Sequence, residues 1–118
     1  MGKTVLIVDD HPSFRASVRR MLEAHGYDVV GEAKDGGAAL LANGELRPQI
    51  VLLDVRLPDV DGFEVAKALI GCTGHAPLVV LTSSHDYADL GEAIATSGAR
   101  GFISKDELTG TALAAMVG

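Results

Sequence analysis

Basic residues are in short supply. Ten Lys and Arg stand against sixteen Asp and Glu, a formal charge of −6 over 118 residues. A nucleic-acid-binding face needs clustered Lys and Arg to replace phosphate counterions, so this surplus argues against nucleic acid as a partner of this domain. The single cysteine, Cys72, excludes an internal disulfide. No run of about 18 apolar residues occurs, which excludes a membrane-spanning helix. The opening MGKTVLIVDD is too short in its apolar run, and too soon acidic, for a secretory signal. Leu6 stands where N-myristoylation needs Ser or Thr. Linkers, repeats and low-complexity segments are absent as well. These absences together point to a cytoplasmic globular protein with no membrane partner.

What is present is a core. The chain is 47% hydrophobic and 22% charged, a balance that excludes intrinsic disorder. Its length suits one domain, residues 1–118. Short β-rich runs occur at Val5–Val8, Val29–Val30, Ile50–Leu53, Leu78–Leu81 and Phe102–Ile103. Three of them are apolar throughout, as in strands covered by helices on both faces. The two shorter runs, at Val29 and Phe102, suit the sheet edges.

Helical spacing fills the gaps: Phe14, Val18, Met21, Leu22 and His25; Phe63, Ala66, Leu69 and Ile70; Leu90, Ala93, Ile94 and Ser97; Leu108, Ala112 and Met116. A fifth helix, from Asp35 to Leu46, has a good N-cap but two glycines in its first turn. Pro12 suits a first helical residue, and Gly26 and Gly98 suit left-handed C-caps. His25 falls in the last turn of the first helix, where it is expected to cap carbonyls. The expected fold is α/β: a five-stranded parallel sheet, order 2-1-3-4-5, with helices on both faces, a flavodoxin-like doubly wound sheet.

In such a sheet, ligands bind beyond the carboxyl ends of the strands, where strand order reverses. The first strand delivers Asp9 and Asp10 there, the third Asp54, the fourth Thr82 and Ser83, the fifth Lys105. The second delivers nothing comparable, since Glu32 and Lys34 read as solvated. Three crowded carboxylates repel unless a cation sits among them. Mg²⁺ suits, because it binds one or two carboxylates, waters and phosphate oxygens. With a nucleophilic carboxylate, an ammonium from Lys105 and a hydroxyl from Thr82, the pocket suits phosphoryl transfer. Asp59 and Asp61 read as turn residues rather than metal ligands, and His11 as a loop histidine at the pocket rim.

IVDDHP at 7–12, LLDVRLPDVDG at 52–62, LTS at 81–83 and GARGFISKD at 98–106 together resemble the receiver domain of two-component response regulators, of the chemotaxis-regulator kind. The resemblance runs the length of the chain. It implies that Asp54 accepts a phosphoryl group from a histidine kinase or phosphotransfer protein. It implies that Asp9, Asp10, Asp54 and the backbone carbonyl of Arg56 hold Mg²⁺. Thr82 and Phe102 match the family's switch pair, with Ser83 the alternative hydroxyl, and Lys105 matches its lysine. Pro58 and Gly62 fit the loop after the phosphoacceptor. Asp106 stands where many members carry proline after a cis peptide. The implied function is phosphorelay signalling that alters a surface for a downstream protein or a homodimer, by a regulatory domain rather than an enzyme. Its own residues catalyse phosphotransfer and dephosphorylation. Two other readings are a phosphorylation-independent binding module and a haloacid-dehalogenase-type phosphohydrolase. The second needs an acid two residues after its nucleophile, where Arg56 stands.

Overall fold

The computed structural model describes residues 2–72, 74–84 and 87–117, with side chains of the last segment from residue 91 onward. Five strands alternate with five helices: β1 Thr4–Val8, α1 Pro12–Ala24, β2 Asp28–Ala33, α2 Gly36–Leu46, β3 Ile50–Asp54, α3 Gly62–Ile70, β4 Leu78–Ser83, α4 Tyr87–Ser97, β5 Gly101–Ser104 and α5 Gly110–Val117. The strands are all parallel, in the order β2-β1-β3-β4-β5. Strand order therefore reverses between β1 and β3, and the short Val29 and Phe102 runs lie at the edges, as expected.

The central strands alternate their side chains between two cores. Leu6, Val8, Val51, Leu53, Val79 and Leu81 face Ala39 of α2, Val65, Ala66 and Leu69 of α3, and Ile94 of α4. Val5, Ile7, Ile50, Leu52 and Val80 face Val18 and Leu22 of α1 and Leu113 and Val117 of α5. Each buried Leu, Ile or Val contributes about 1.5–3 kcal/mol of hydrophobic transfer free energy. Apolar residues on both faces are thus what make β1, β3 and β4 central.

The punctuation holds in detail. Pro12 opens α1, and Asp35 caps α2 by accepting from Ala38 N at 2.8 Å. Gly26 and Gly98 have φ of 90° and 82°. Leu90 lies on α4, but its side chain is outside the described ones. Two expectations need correction. Leu108 is not helical: Lys105–Glu107 form a 3₁₀ turn, Leu108 is extended, and α5 begins only at Gly110. Thr109 sets that start, since its Oγ1 accepts from Ala112 N at 3.0 Å. His25 is the C-cap of α1 through its backbone N–H, which donates to Leu22 O at 3.0 Å, but among the described residues its ring bonds no carbonyl of that helix. The ring packs where a Cβ at Gly110 would sit, with Nε2 3.5 Å from Thr111 Oγ1.

Candidate functional site

The carboxyl ends of β1, β3, β4 and β5 converge. Asp9 follows β1 and is wholly buried; Asp54 ends β3 and is 4% exposed. Asp54 pairs in register with Thr82 of β4, also buried. Lys105 follows β5 and crosses to both acids. Its Nζ donates to Asp54 Oδ2 at 3.1 Å and stands 2.7 Å from Asp9 Oδ2. The contact with Asp9 is a close ion pair to a wholly buried carboxylate.

Asp9, Asp10, Asp54 and His11 each bring one ligand-type atom within 4.8 Å of the others. Asp10 and His11 are exposed at the rim, as the sequence led us to expect of His11. The His11 ring leans inward, with Nδ1 3.1 Å from Asp9 Oδ1 and 3.0 Å from Asp10 Oδ1. His11 N also donates to Asp9 Oδ1 at 2.8 Å. A mostly oxygen donor set that includes two buried carboxylates fits a hard divalent cation.

The electrostatics follow from burial. Burial pushes the Asp54 carboxyl up from its ordinary value, with the Asp9 charge acting in the same direction. The Arg56 N–H and the Lys105 ammonium oppose this without cancelling it. Burial also pulls Lys105 down, but its contacts with Asp9 and Asp54 outweigh that and leave it raised. The pocket therefore confines one acid that resists ionisation, Asp54, beside one firmly charged ammonium.

The loop after Asp54 is built tightly. Arg56 N donates to Asp54 Oδ1 at 3.1 Å, and Arg56 bridges to Asp61 across the loop. Gly62 is required there: a Cβ would lie 2.4 Å from the Asp54 carbonyl oxygen. Asp61 caps α3 by accepting from Phe63 N at 2.8 Å. Asp59 accepts from Gly36 N and Gly37 N of α2, both at 2.9 Å. Neither acid joins the metal-type cluster found among the described residues. The bond between Lys105 and Asp106 is trans. Phe102 lies beside Leu81 on β5 and is half-buried against the α2–α4 core.

Four contributors were not singled out for the site in the sequence. Phe14 of α1 lies under the Lys105 ammonium, its ring centroid 4.5 Å from Nζ. Arg15 donates to the Asp9 carbonyl at 2.6 Å. Glu32 is not free in solvent: it pairs with Arg15 Nε at 3.0 Å and Arg19 Nε at 2.7 Å. Asp59 ties its loop to α2.

The response regulator receiver domain profile matches residues 5–117. Chemotaxis protein CheY of Thermotoga maritima is 36% identical over 105 residues, covering 89% of this chain and 87% of that protein. The DNA-binding transcriptional activator EvgA of Escherichia coli K12 is 32% identical over 111 residues, covering 94% of this chain and 54% of EvgA. The chain thus spans about half the length of that activator. Among solved structures, the signal receiver domain of NarL from Mycobacterium tuberculosis superposes with a TM-score of 0.88 at 37% identity, covering 98% of this chain and 96% of that one.

Proposed function

The chain belongs to the response regulator receiver domain family of two-component signalling, and from that premise we propose that Asp54 is its phosphoacceptor. The observation that carries this reading is the placement of Asp54: buried at the strand-order reversal, one oxygen on Lys105 and the other on the Arg56 N–H. An Asp54 oxygen attacks the phosphorus of a phosphohistidine on a kinase or phosphotransfer protein. The new O–P bond forms as the N–P bond breaks, and the electron pair leaves with the imidazole nitrogen. The Lys105 ammonium stabilises charge on a phosphoryl oxygen, and the Thr82 hydroxyl donates to another.

Asp9, Asp10, Asp54 and the Arg56 carbonyl would hold Mg²⁺, which supplies the charge compensation that a phosphoryl group in transfer needs. The gathering of the buried Asp9 and Asp54 carboxylates with Asp10 in one oxygen-rich cluster supports that assignment. His11 lies close enough to orient Asp9 and Asp10, and Phe14 holds the lysine by its ring face.

The response then leaves through the β4–β5 edge. Thr82 turning toward the phosphoryl group vacates space into which Phe102 moves, and the altered face meets a downstream protein or a second copy. The loop from Ser83 to Asp89 belongs to this proposed surface and lies partly outside the described residues. The same pocket carries out phosphotransfer and hydrolysis for this one acid, a regulatory role. Among the described residues, no helix is long and apolar enough to cross a membrane.

The test is to incubate the protein with acetyl phosphate and Mg²⁺ and map the modified residue. Labelling of wild type at Asp54, and none of Asp54→Asn, is expected. Equal labelling of Asp54→Asn contradicts the assignment. No labelling of wild type favours the phosphorylation-independent binding module instead.

A further inference from the structure

Asp9 is the most constrained acid of the pocket. Its N–H donates to Ala33 O at 3.0 Å, joining it to β2. Its Oδ1 is taken by His11, and its Oδ2 faces Lys105. The remaining handle, the carbonyl oxygen, accepts from Arg15 Nη1 at 2.6 Å, a short charge-assisted bond. That guanidinium is itself aimed. Its Nε donates to Glu32 Oε1 at 3.0 Å, and Glu32 holds Arg19 with its other oxygen at 2.7 Å. Most of the Arg15 side chain is covered, being 16% exposed. The second strand therefore does deliver something to the site: Glu32, acting through Arg15.

We propose that Arg15 is a positioning residue for the divalent-cation site, pinning the Asp9 carbonyl so that the Asp9 and Asp10 carboxylates keep their place, with Glu32 orienting the guanidinium. The proposal rests on the reading of Asp9 and Asp10 as cation ligands. Geometry separates it from a plain charge effect. A guanidinium beside the acidic cluster repels a cation, so an Arg15 acting through charge alone lowers cation affinity. Its removal would then tighten Mg²⁺ binding. An Arg15 acting by position raises affinity, and its removal weakens binding. The two accounts differ in sign.

The experiment is calorimetric titration of the folded chain with Mg²⁺ alone, with folding checked by circular dichroism. Arg15→Gln is expected to weaken Mg²⁺ about 10-fold, the low end for partners that orient a ligand. Arg15→Lys keeps the charge and one donor but loses the fork, and is expected to fall between the two. Glu32→Gln is expected to weaken binding less than Arg15→Gln in wild type, and to add nothing in the Arg15→Gln background. Independent charge effects would instead add. Equal or tighter binding by Arg15→Gln overturns the proposal while leaving the cation site standing. Should that variant not fold, wild-type affinity in both Arg15→Lys and Glu32→Gln overturns it equally. A wild-type protein that takes no Mg²⁺ removes the cation reading, and this proposal falls with it.

Discussion

Two carboxylates on one loop are treated in opposite ways. Asp54, at the loop's base, is buried, and burial pushes its carboxyl up. Asp59, at the tip, is exposed, and the Gly36 and Gly37 N–H groups pull its carboxyl down. Five positions separate them. The tip acid meets the positive end of α2 and accepts from Gly36, Gly37 and Val60 N–H groups within reach of solvent, an arrangement that stabilises the fold. The base acid is crowded with Asp9 around a single ammonium, an arrangement that does not. The difference teaches where this fold holds stored repulsion: at the acidic pocket, not at the turn that merely closes.

The largest break in this comparison comes from Lys105→Met. It removes the counter-charge and leaves Asp9 and Asp54 facing each other. About 3 kcal/mol of stability is expected to be lost at neutral pH, the low end for a broken buried ion pair. Urea unfolding without Mg²⁺ measures it, and an unchanged midpoint would show that Lys105 does not offset the acids. Next is Gly62→Ala, which presses on the loop's base, where the added Cβ meets the Asp54 carbonyl. A loss of about 2 kcal/mol is expected, because the obstruction is backbone and cannot rotate away. The same unfolding experiment checks it, against a Gly44→Ala control, where a Cβ meets nothing within 4 Å.

Subtler is the pH dependence without metal. A raised carboxyl pKa means that the folded state binds the proton more tightly than the unfolded chain. Stability is then lost as pH rises from the ordinary carboxylate range through the raised Asp54 value, and stays lost at neutral pH. Asp54→Asn is therefore expected to melt above wild type at pH 7, with the gap closing on acidification. Melting curves across the acid range show it. Asp59 has the reverse sign and a smaller effect. Its advantage over Asp59→Asn is expected to be present above the ordinary carboxylate range and to fade as pH falls through its depressed value. A gap between wild type and Asp59→Asn that widens in acid would contradict the helix-capping role.

Much of this was legible in the chain. Continuous apolar runs named the buried strands, and the reversal rule placed Asp9, Asp10, Asp54 and Lys105 together before any geometry. Thr82, immediately after its apolar run, fell in register with Asp54. What escaped had partners far along the sequence. Glu32 reads as one more surface acid, because Arg15 is 17 positions away. The glycines at the start of α2 read as a weakness. In the fold, Gly36 is where a Cβ would strike Val60 and Val65, and its N–H reaches Asp59. The late start of α5 escaped for a different reason. The apolar spacing that includes Leu108 runs through a 3₁₀ turn, and the Thr109 cap sets the start of the helix after it.

The central claim is that the pocket's acids repel one another until a cation joins them, and that Asp54 is one of the holders. Melting of wild type and Asp54→Asn at pH 7, with and without Mg²⁺, tests it most directly. Without Mg²⁺ the Asn variant is expected to melt a few degrees higher, as about 1 kcal/mol gives for a chain of this size. With Mg²⁺ in excess, wild type is expected to rise and the variant to stay nearly still, so the order narrows or reverses. Equal Mg²⁺ stabilisation of both proteins, or a variant that melts below wild type without Mg²⁺, would contradict the account.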